Sequence, residues 1–326
     1  MTLTVINAEL VKRLLPMPEC IDIMAQAMRA VSAGQVSIPP RVTLPLNDGV
    51  GALLLMPGCA STLQSYGAKL ISLHPGNSKL AVPVIQGFVA LFDGADGRPL
   101  AIVEGAALTA IRTAAASGLA TRLLAREDAS SCGIFGTGVQ AVTHIDAMWA
   151  VRPISEVMVW SRNADRASAF AREQAERTGL KVIAGEDPAA VAGCDLICAL
   201  TASPDPVVYG DWVQEGAHVN LVGAHSVTTR EADSDLIGKS RLYTDLMASC
   251  RNEGGDFMIP LQEGIIAEAD ILGEVGQVLA GEIEGRRAAT DVTVYNSLGI
   301  TAQDLYAAAH VYAQARSRGL GVQVDW

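Results

Sequence analysis

The chain begins with two amphipathic helical segments. Between residues 8 and 33, apolar residues recur at near-helical spacing, at Leu10, Leu14, Ile21, Met24 and Met28. Pro16 and Pro18 interrupt this pattern, and a proline inside a helix removes a hydrogen bond and clashes with the preceding turn. We therefore predict a turn at the prolines, with one helix on each side of it.

From Pro39 to Asp93 the pattern changes to short apolar runs bounded by proline, glycine and asparagine. Such runs predict β-strands joined by turns, and they lie at residues 42–44, 51–56, 68–73 and 87–93. Residues 93–99 are rich in turn formers, so they predict a hairpin that leads into a strand beginning at Leu100. A long helix of small residues is expected at 106–126.

Beyond this helix, segments rich in valine, isoleucine and leucine alternate with helical ones. The apolar segments lie at residues 132–135, 157–160, 181–184, 196–200, 218–222 and 242–245. This alternation is typical of a doubly wound α/β domain with a parallel sheet. A final helix, predicted at 301–317, can return to the first domain. We therefore predict a Rossmann-type domain, residues 118–300, inserted into a split α+β domain formed by residues 1–117 and 301–326.

Composition limits the possible partners and locations. A chain of 326 residues favours two domains, and its formal net charge of −11 disfavours binding to nucleic acid. Only 18% of the residues are charged, which favours an oligomer that covers apolar surface in an interface. No signal peptide or membrane-spanning run is visible, and the six cysteines form no CxxC pair. We expect a cytoplasmic protein with free thiols, no membrane contact and no metal site.

One glycine-rich segment carries the strongest chemical signal. The G-x-G-x-x-A form of the dinucleotide-binding fingerprint is matched by Gly136, Thr137, Gly138, Val139, Gln140 and Ala141. The segment directly follows the predicted strand 132–135 and opens a helix near Val139, which is the context that the fingerprint requires. The glycines let the backbone approach a pyrophosphate, and the helix N-terminus offers N–H groups to it. A strand–turn–helix without a ligand is the alternative.

The second strand of that domain ends without an acidic residue. NAD-specific sites usually place Asp or Glu there to bind the ribose 2′-hydroxyl, whereas this strand ends in Ser161, Arg162 and Asn163. Arg162, with Ser161 beside it and Arg166 further on, can receive a 2′-phosphate. The sequence therefore favours NADP(H). NAD(H) stays open, because Arg162 can also stack on adenine or lie in solvent.

Three cations of the predicted split domain stand where charge is unusual. Lys69 lies in a mostly apolar strand, Arg112 lies in a helix of small residues, and Arg41 opens the first strand. Each alone is commonly structural, and Lys69 can lie on the wet face of its strand. Together they suit a carboxylate, to which arginine donates two parallel hydrogen bonds. Because unpaired buried charge is costly, we expect an anion or water at these cations.

Four segments of the chain resemble the ornithine cyclodeaminase / μ-crystallin family. They are residues 68–72, 111–121, 136–141 and 293–304, and their order and spacing match over nearly the full length. The resemblance implies an NAD(P)-dependent oxidoreductase that forms a homodimer, with a substrate-binding and dimerisation domain built from both chain ends. It implies that Arg41, Lys69 and Arg112 hold the substrate carboxylate. It also implies cofactor contacts by Thr201, Ser203, Val222, Gly223, Ser297 and Gly299.

One position separates the activities of that family. The cyclodeaminases carry Asp after the strand that here ends near residue 222, and that Asp grips the distal amine of ornithine, whereas this chain has His225. Histidine provides no permanent anion, so the sequence favours an imine reductase. The candidate catalytic residues are Lys69, Arg112 and His225, with His225, or a water that it holds, as a proton source.

The expected reaction is NAD(P)H-dependent reduction of a small imino acid of the ketimine, pyrroline-carboxylate or iminosuccinate type to the amino acid. Three alternatives stay open: an amino-acid dehydrogenase of the alanine dehydrogenase type, a cyclodeaminase lyase and a non-enzymatic cofactor-binding protein. The sequence leaves the imino acid, its ring size, a second carboxylate and the physiological direction undetermined.

Overall fold

The computed structural model describes residues 2–46, 49–80 and 82–326, without the side chains of Ser78 and Lys79. The chain forms two compact units, Met1–Arg112 with Ile300–Trp326, and Thr113–Gly299. The sequence places the boundaries at 117/118 and 300/301. The first boundary differs because helix α3, Gly105–Leu124, runs through it without a break. A boundary inside a continuous helix leaves no linker composition in the sequence.

The first unit contains a mixed eight-stranded sheet. Its strands are β1 (Thr2–Ile6), β2 (Val36–Ser37), β3 (Val42–Pro45), β4 (Ala52–Ala60), β5 (Ser65–Leu73), β6 (Ile85–Asp93), β7 (Pro99–Glu104) and β16 (Val322–Asp325). Their order is β16-β1-β7-β6-β5-β4-β2, with β3 paired to β4. The predicted hairpin after Asp93 is confirmed, since β6 and β7 pair antiparallel.

Within the described residues, three α-helices belong to this unit alone: α1 (Ala8–Leu14), α2 (Met17–Ser32) and α11 (Thr301–Ser317). The predicted break between the first two is confirmed, because Pro16 is the N-cap of α2. Helix α11 has the predicted bounds and packs against β4, β5, β6 and α2. One face of the sheet is therefore covered by a helix that the chain supplies only after the whole second unit.

The two faces of this sheet differ in burial. The covered face buries Met56, Val89 and Val103, which stand side by side on β4, β6 and β7. On the other face, cross-strand pairs of β3 and β4 expose large apolar side chains, namely Val42 with Leu55 and Leu44 with Leu53. An exposed apolar patch of this kind on a folded protein commonly marks an interaction surface.

The second unit contains a parallel eight-stranded sheet. Its strands are β8 (Ser131–Phe135), β9 (Glu156–Trp160), β10 (Lys181–Ala184), β11 (Leu196–Ala199), β12 (His218–Leu221), β13 (Arg241–Thr244), β14 (Ile271–Glu274) and β15 (Thr293–Asn296). Their order is β10-β9-β8-β11-β12-β15-β13-β14, with every pair parallel. The predicted doubly wound α/β fold is confirmed. The order reverses between β8 and β11, and ligands of such sheets bind at the strands' carboxyl ends there.

Helices connect these strands: α4 (Val139–Val151), α5 (Ala164–Thr178), α6 (Pro188–Ala192), α7 (Ser234–Gly238), α8 (Met247–Glu253), α9 (Gly255–Gln262) and α10 (Val275–Ala280). Among the described residues, no helix is both long and apolar enough to span a bilayer. All six cysteines are free thiols, as expected, and five are buried, while Cys59 is exposed.

Candidate active site

The fingerprint loop joins β8 to α4, so the predicted strand–loop–helix context is confirmed. Gly136 has a φ of 112°, a positive value that side-chain-bearing residues rarely adopt. A Cβ at Gly136 would lie 2.8 Å from the carbonyl oxygen of Leu200, at the end of the neighbouring strand β11. The turn and the close approach of the two strand ends therefore both require the first glycine.

Gly138 has a different role, because the described protein leaves open space around it. Its φ of −87° suits any residue, and it forms the N-cap of α4 without a side-chain hydrogen bond. A Cβ at Gly138 would have no neighbour within 4 Å. The first turn of α4 carries no acidic residue, so its N–H groups and positive dipole end suit an anion. These residues fit the diphosphate of a dinucleotide.

The other fingerprint residues differ in burial according to their place in the loop and helix. Thr137 and Gln140 are half-buried and Val139 is exposed at the helix start. Ala141 is fully buried, and a small residue at this position lets the helix pack closely on the sheet. The loop therefore presents backbone, rather than bulky side chains, to the space beside Gly138.

The end of β9 presents an arginine and no carboxylate. The Oγ of Ser161 accepts a hydrogen bond of 3.2 Å from the backbone N–H of Asn163. The side chain of Asn163 caps α5 by accepting a 2.9 Å hydrogen bond from the N–H of Arg166. The side chain of Arg162 is exposed. Ser161 and Asn163 therefore shape the turn, while the guanidinium of Arg162 lies at the edge of the sheet where the carboxyl ends of the strands meet.

One buried carboxylate, Glu231, holds the loops that follow β11 and β12. Its Oε1 accepts hydrogen bonds of 2.6 Å from both the N–H and the hydroxyl of Thr201. Its Oε2 accepts from the N–H groups of Gly223 at 2.5 Å and Val222 at 3.3 Å. Thr201 Oγ1 also accepts from the N–H of Ser203 at 3.2 Å. Burial raises the pKa of Glu231, while the hydrogen bonds from Thr201, Gly223 and Val222 oppose this rise.

The loop after β15 is held in a similar way. Asp245, which follows β13, accepts hydrogen bonds from the N–H groups of Leu298 at 3.1 Å and Gly299 at 2.7 Å. The N–H of Ser297 donates to the carbonyl of Leu221 at 2.8 Å, and its side chain is buried. The predicted cofactor residues Ser297 and Gly299 are thus fixed to β12 and β13.

His225 stands in the loop after β12, and its side chain is exposed. This loop leaves the carboxyl end of its strand, which is where ligands of doubly wound sheets bind. The structure therefore places His225 at the edge of the sheet that the sequence predicts for it.

In the first unit, Lys69 and Arg112 share one carboxylate. Lys69 Nζ lies 2.8 Å from Asp304 Oδ2, and Arg112 Nε lies 2.8 Å from Asp304 Oδ1. Arg112 Nη1 also donates a 2.6 Å hydrogen bond to Gln303 Oε1. All three charges are buried, with exposures of 3% for Lys69, 4% for Arg112 and 0% for Asp304.

This pairing bears on two expectations. Asp304 of α11 gives Lys69 and Arg112 an anionic partner within the chain, while the binding of a further anion or water at these cations stays a prediction. The wet-face alternative for Lys69 is wrong, because Lys69 stands between Met56 and Val89 on the covered face of the sheet. The physical reason is that the register of β5 points Lys69 at the helix that carries its partner.

The electrostatics of Lys69 connect the three predicted cations. Burial, followed by the charges of Arg112 and Arg41, lowers the pKa of Lys69, Asp304 opposes this shift, and the resulting pKa is about 8. Arg41, just before β3, is therefore close enough to act on Lys69. Lys69 and Arg112 carry one more charge than the Asp304 carboxylate that they share, which leaves a positive field that suits an anionic substrate. An ammonium with a pKa near neutrality can also give up its proton.

Known proteins match the chain along nearly its whole length. Residues 2–319 match the ornithine cyclodeaminase/mu-crystallin family. The chain belongs to this family. A Delta(1)-pyrroline-2-carboxylate reductase of Bacillus cereus is 34% identical over 324 residues, which cover 99% of both proteins. The resemblance predicted from the sequence is therefore confirmed.

Two solved structures of this kind have the same fold. The Delta(1)-pyrroline-2-carboxylate reductase of Thermococcus litoralis, in complex with NADH and L-proline, is 34% identical with a TM-score of 0.95, over 98% of this chain and 100% of that one. An archaeal alanine dehydrogenase dimer with bound NAD is 29% identical with a TM-score of 0.93, over 100% of both chains.

Four polar residues with structural roles were not predicted from the sequence: Gln303, Asp304, Glu231 and Asp245. The first two had a signal, because they lie in the segment 293–304 that carries the family resemblance and stand in an otherwise small and apolar helix start. Glu231 had none, since it follows Arg230 in a segment that has the composition of a surface loop. Its role depends on contacts between loops, which no local pattern encodes.

Proposed function

We propose that this protein is an NAD(P)H-dependent reductase that converts a small imino acid into the corresponding amino acid. The observation that carries the proposal is the buried cluster of Lys69, Arg112 and Asp304, with Arg41 nearby, in a chain that also has an intact dinucleotide loop. The names of the two pyrroline-2-carboxylate reductases support the same reaction class.

Arg112 is arranged to bind the substrate carboxylate. Asp304 engages its Nε and Gln303 engages its Nη1, which fixes the plane of the guanidinium. The outer edge, formed by Nη1 and Nη2, keeps donors for two parallel hydrogen bonds to a carboxylate. Arg41 adds a second positive charge. This clamp positions the carbon of the C=N bond, and positioning supplies a large part of the acceleration.

Lys69 is arranged to hold the proton that the reaction needs. An imine accepts hydride readily only when its nitrogen is protonated, and the bound nicotinamide supplies the hydride. With a pKa near 8, Lys69 Nζ is mostly protonated at neutral pH and can donate to that nitrogen. Asp304 keeps Nζ in place at 2.8 Å. His225 is the second candidate for the proton, through its ring or a water that it holds.

An amino-acid dehydrogenase is the strongest rival, because the archaeal alanine dehydrogenase shares the fold over the whole chain. It would carry out the same hydride step on an imine formed from ammonia and an oxo acid. A cyclodeaminase is disfavoured, because His225 stands where that activity needs an acid to grip an ammonium group.

A matched pair of imines tests the proposal. We expect purified protein to reduce Δ1-pyrroline-2-carboxylate and to reduce Δ1-pyrroline, which lacks the carboxylate, at least about 100-fold less efficiently, because the clamp binds only the acid. The measurement is kcat/KM from consumption of NADPH or NADH. In parallel, ornithine with NAD+ should give no proline. Equal efficiency with both imines contradicts the clamp, while proline formation contradicts the reaction class.

We also propose a preference for NADP(H), supported by the exposed Arg162 and the absence of an acid at the end of β9. Replacing Arg162 with alanine should raise the KM for NADPH about tenfold or more and change that for NADH little, because only NADPH has the 2′-phosphate. Steady-state kinetics with both cofactors measure this. Arg172→Ala, an exposed arginine further along α5, is the matched control. A wild-type preference for NADH contradicts the assignment.

We further propose a homodimer located in the cytoplasm. The exposed apolar pairs Val42 with Leu55 and Leu44 with Leu53 give the open face of the first sheet a surface that a second copy can cover. The dimeric state of the archaeal alanine dehydrogenase supports this occupant. The six free thiols suit a reducing compartment.

A further inference from the structure

We propose that Glu231 is a positioning residue for the reaction, because its carboxylate joins the loop after β11 to the loop after β12. The inference rests on the proposed function, which assigns Thr201 and Gly223 to the cofactor and His225 to the proton. Glu231 itself touches neither ligand in this assignment. It acts by fixing the backbone of Thr201, Gly223 and His225, which make those contacts in this assignment.

The carboxylate closes the segment 222–231 on itself. Glu231 is the last residue of the segment, and its Oε2 binds the N–H groups of the first two, Val222 and Gly223. A Cβ at Gly223 would overlap the carbonyl oxygen of Thr201 and lie 2.8 Å from the Glu231 carboxylate. The loop can be closed this tightly only with glycine at this position. His225 lies within this segment, so the Glu231 hydrogen bonds fix the backbone on both sides of it.

The same carboxylate ties this segment to the neighbouring strand end. Its Oε1 binds the N–H and the hydroxyl of Thr201. The loops after β11 and β12 are therefore set relative to each other by one side chain. They leave adjacent strands, since β11 and β12 pair in parallel.

Asp256 fixes Glu231 from the other side. Its Oδ1 accepts hydrogen bonds from the backbone N–H groups of Glu231 at 2.8 Å and Ala232 at 3.0 Å. Both acids are fully buried. Burial, followed by the nearby charge of Glu231, raises the pKa of Asp256 to about 7. Burying two acids side by side costs stability, and costly arrangements of this kind are commonly found at functional sites.

Only a carboxylate satisfies this geometry. All four partners of Glu231 are donors, namely three backbone N–H groups and the Thr201 hydroxyl. A glutamine must turn its NH2 group towards one pair of these donors, and an N–H donor facing an NH2 group leaves both without an acceptor. Glu231→Gln therefore releases one of the two loops while keeping the size of the side chain.

The test compares Glu231→Gln with Asp195→Asn. Asp195 is also a carboxylate that binds backbone N–H groups, those of Ser130 at 3.0 Å and Ser131 at 3.1 Å. It precedes β11 and therefore lies at the opposite edge of the same sheet. Each variant replaces an accepting oxygen with an NH2 group, which faces backbone donors at residue 231 and the Arg126 guanidinium at residue 195, so both should lower the melting temperature. Only Glu231→Gln changes the edge of the sheet that carries the proposed site.

We expect Glu231→Gln to raise the dissociation constant for NADPH and to lower kcat, each by about ten- to a hundredfold, because small displacements of positioned groups are costly. Asp195→Asn should stay within about twofold of wild type in both, since Asp195 lies at the opposite edge of the sheet from the proposed site. Fluorescence titration gives the first quantity and reduction of Δ1-pyrroline-2-carboxylate gives the second. Wild-type values for Glu231→Gln, or equal losses in both variants, overturn the proposal.

Two further measurements keep the outcomes separate. If Glu231→Gln does not fold, Glu231→Asp keeps the charge but cannot reach both loops, and it should show a smaller change in the same direction. Wild-type binding and kcat in folded Glu231→Asp then contradict the proposal. If the wild type reduces no imino acid, the proposed function fails, while the NADPH dissociation constants of the variants still decide the positioning role.

Discussion

Replacing Asp304 with asparagine should lower the free energy of unfolding by about 3–5 kcal/mol, because it leaves two buried cations without their shared anion. It should also move the alkaline limb of the pH profile of kcat/KM to lower pH. Asp304 raises the pKa of Lys69 against burial and its neighbouring arginines. Without that carboxylate the pKa falls below about 8, so Lys69 loses its proton nearer to neutrality.

Chemical denaturation and pH-dependent kinetics measure these two effects. The control is a double-mutant cycle with Lys69→Met, which removes one of the two cations. If Lys69 and Asp304 are coupled, the double variant loses less stability than the sum of the single losses. Additive losses, or an unchanged pH profile in Asp304→Asn, would show that the cluster is not the coupled set of charges that the distances indicate.

Replacing Gly138 with tryptophan should abolish dinucleotide binding and leave the fold intact. The backbone of Gly138 suits any residue, and the space beside it is open, so the protein itself accepts the side chain. That space is where the diphosphate would approach the start of α4. We expect no saturable binding of NADPH or NADH by calorimetry, with a melting temperature within about 2 °C of wild type.

Gly138→Ala is the graded control for this substitution. Its methyl group fills only part of the space, so it should weaken cofactor binding by an intermediate factor. A folded Gly138→Trp protein that binds the dinucleotide with wild-type affinity would mean that the fingerprint loop is not the phosphate site.

Local patterns were enough to predict the elements that depend on neighbouring residues. The fingerprint loop, the break at Pro16 and the bounds of α11 follow from spacing, proline and glycine, and all three agree with the structure. The residue types at Lys69 and Arg112 also indicated a charged site, because a cation among apolar or small residues needs a partner.

Other features depend on contacts that no local pattern contains. Asp304 meets Arg112 across 192 residues of sequence, and Glu231 acts mainly through backbone N–H groups, which every residue except proline supplies. The strands β14 and β15 were not predicted from the sequence. The domain boundary inside α3 had no signal, since the helix continues through it.

The split first unit has a consequence for how the chain is made. Arg112 leaves the ribosome before the entire second unit, whereas its partner Asp304 follows 192 residues later, which takes about 10–40 s at ordinary rates of elongation. During that interval the strands of the first sheet lack α11, and Lys69 and Arg112 lack their anion. The second unit is contiguous in sequence and can fold as it emerges, so the first unit, although its synthesis begins earlier, is the last to be completed.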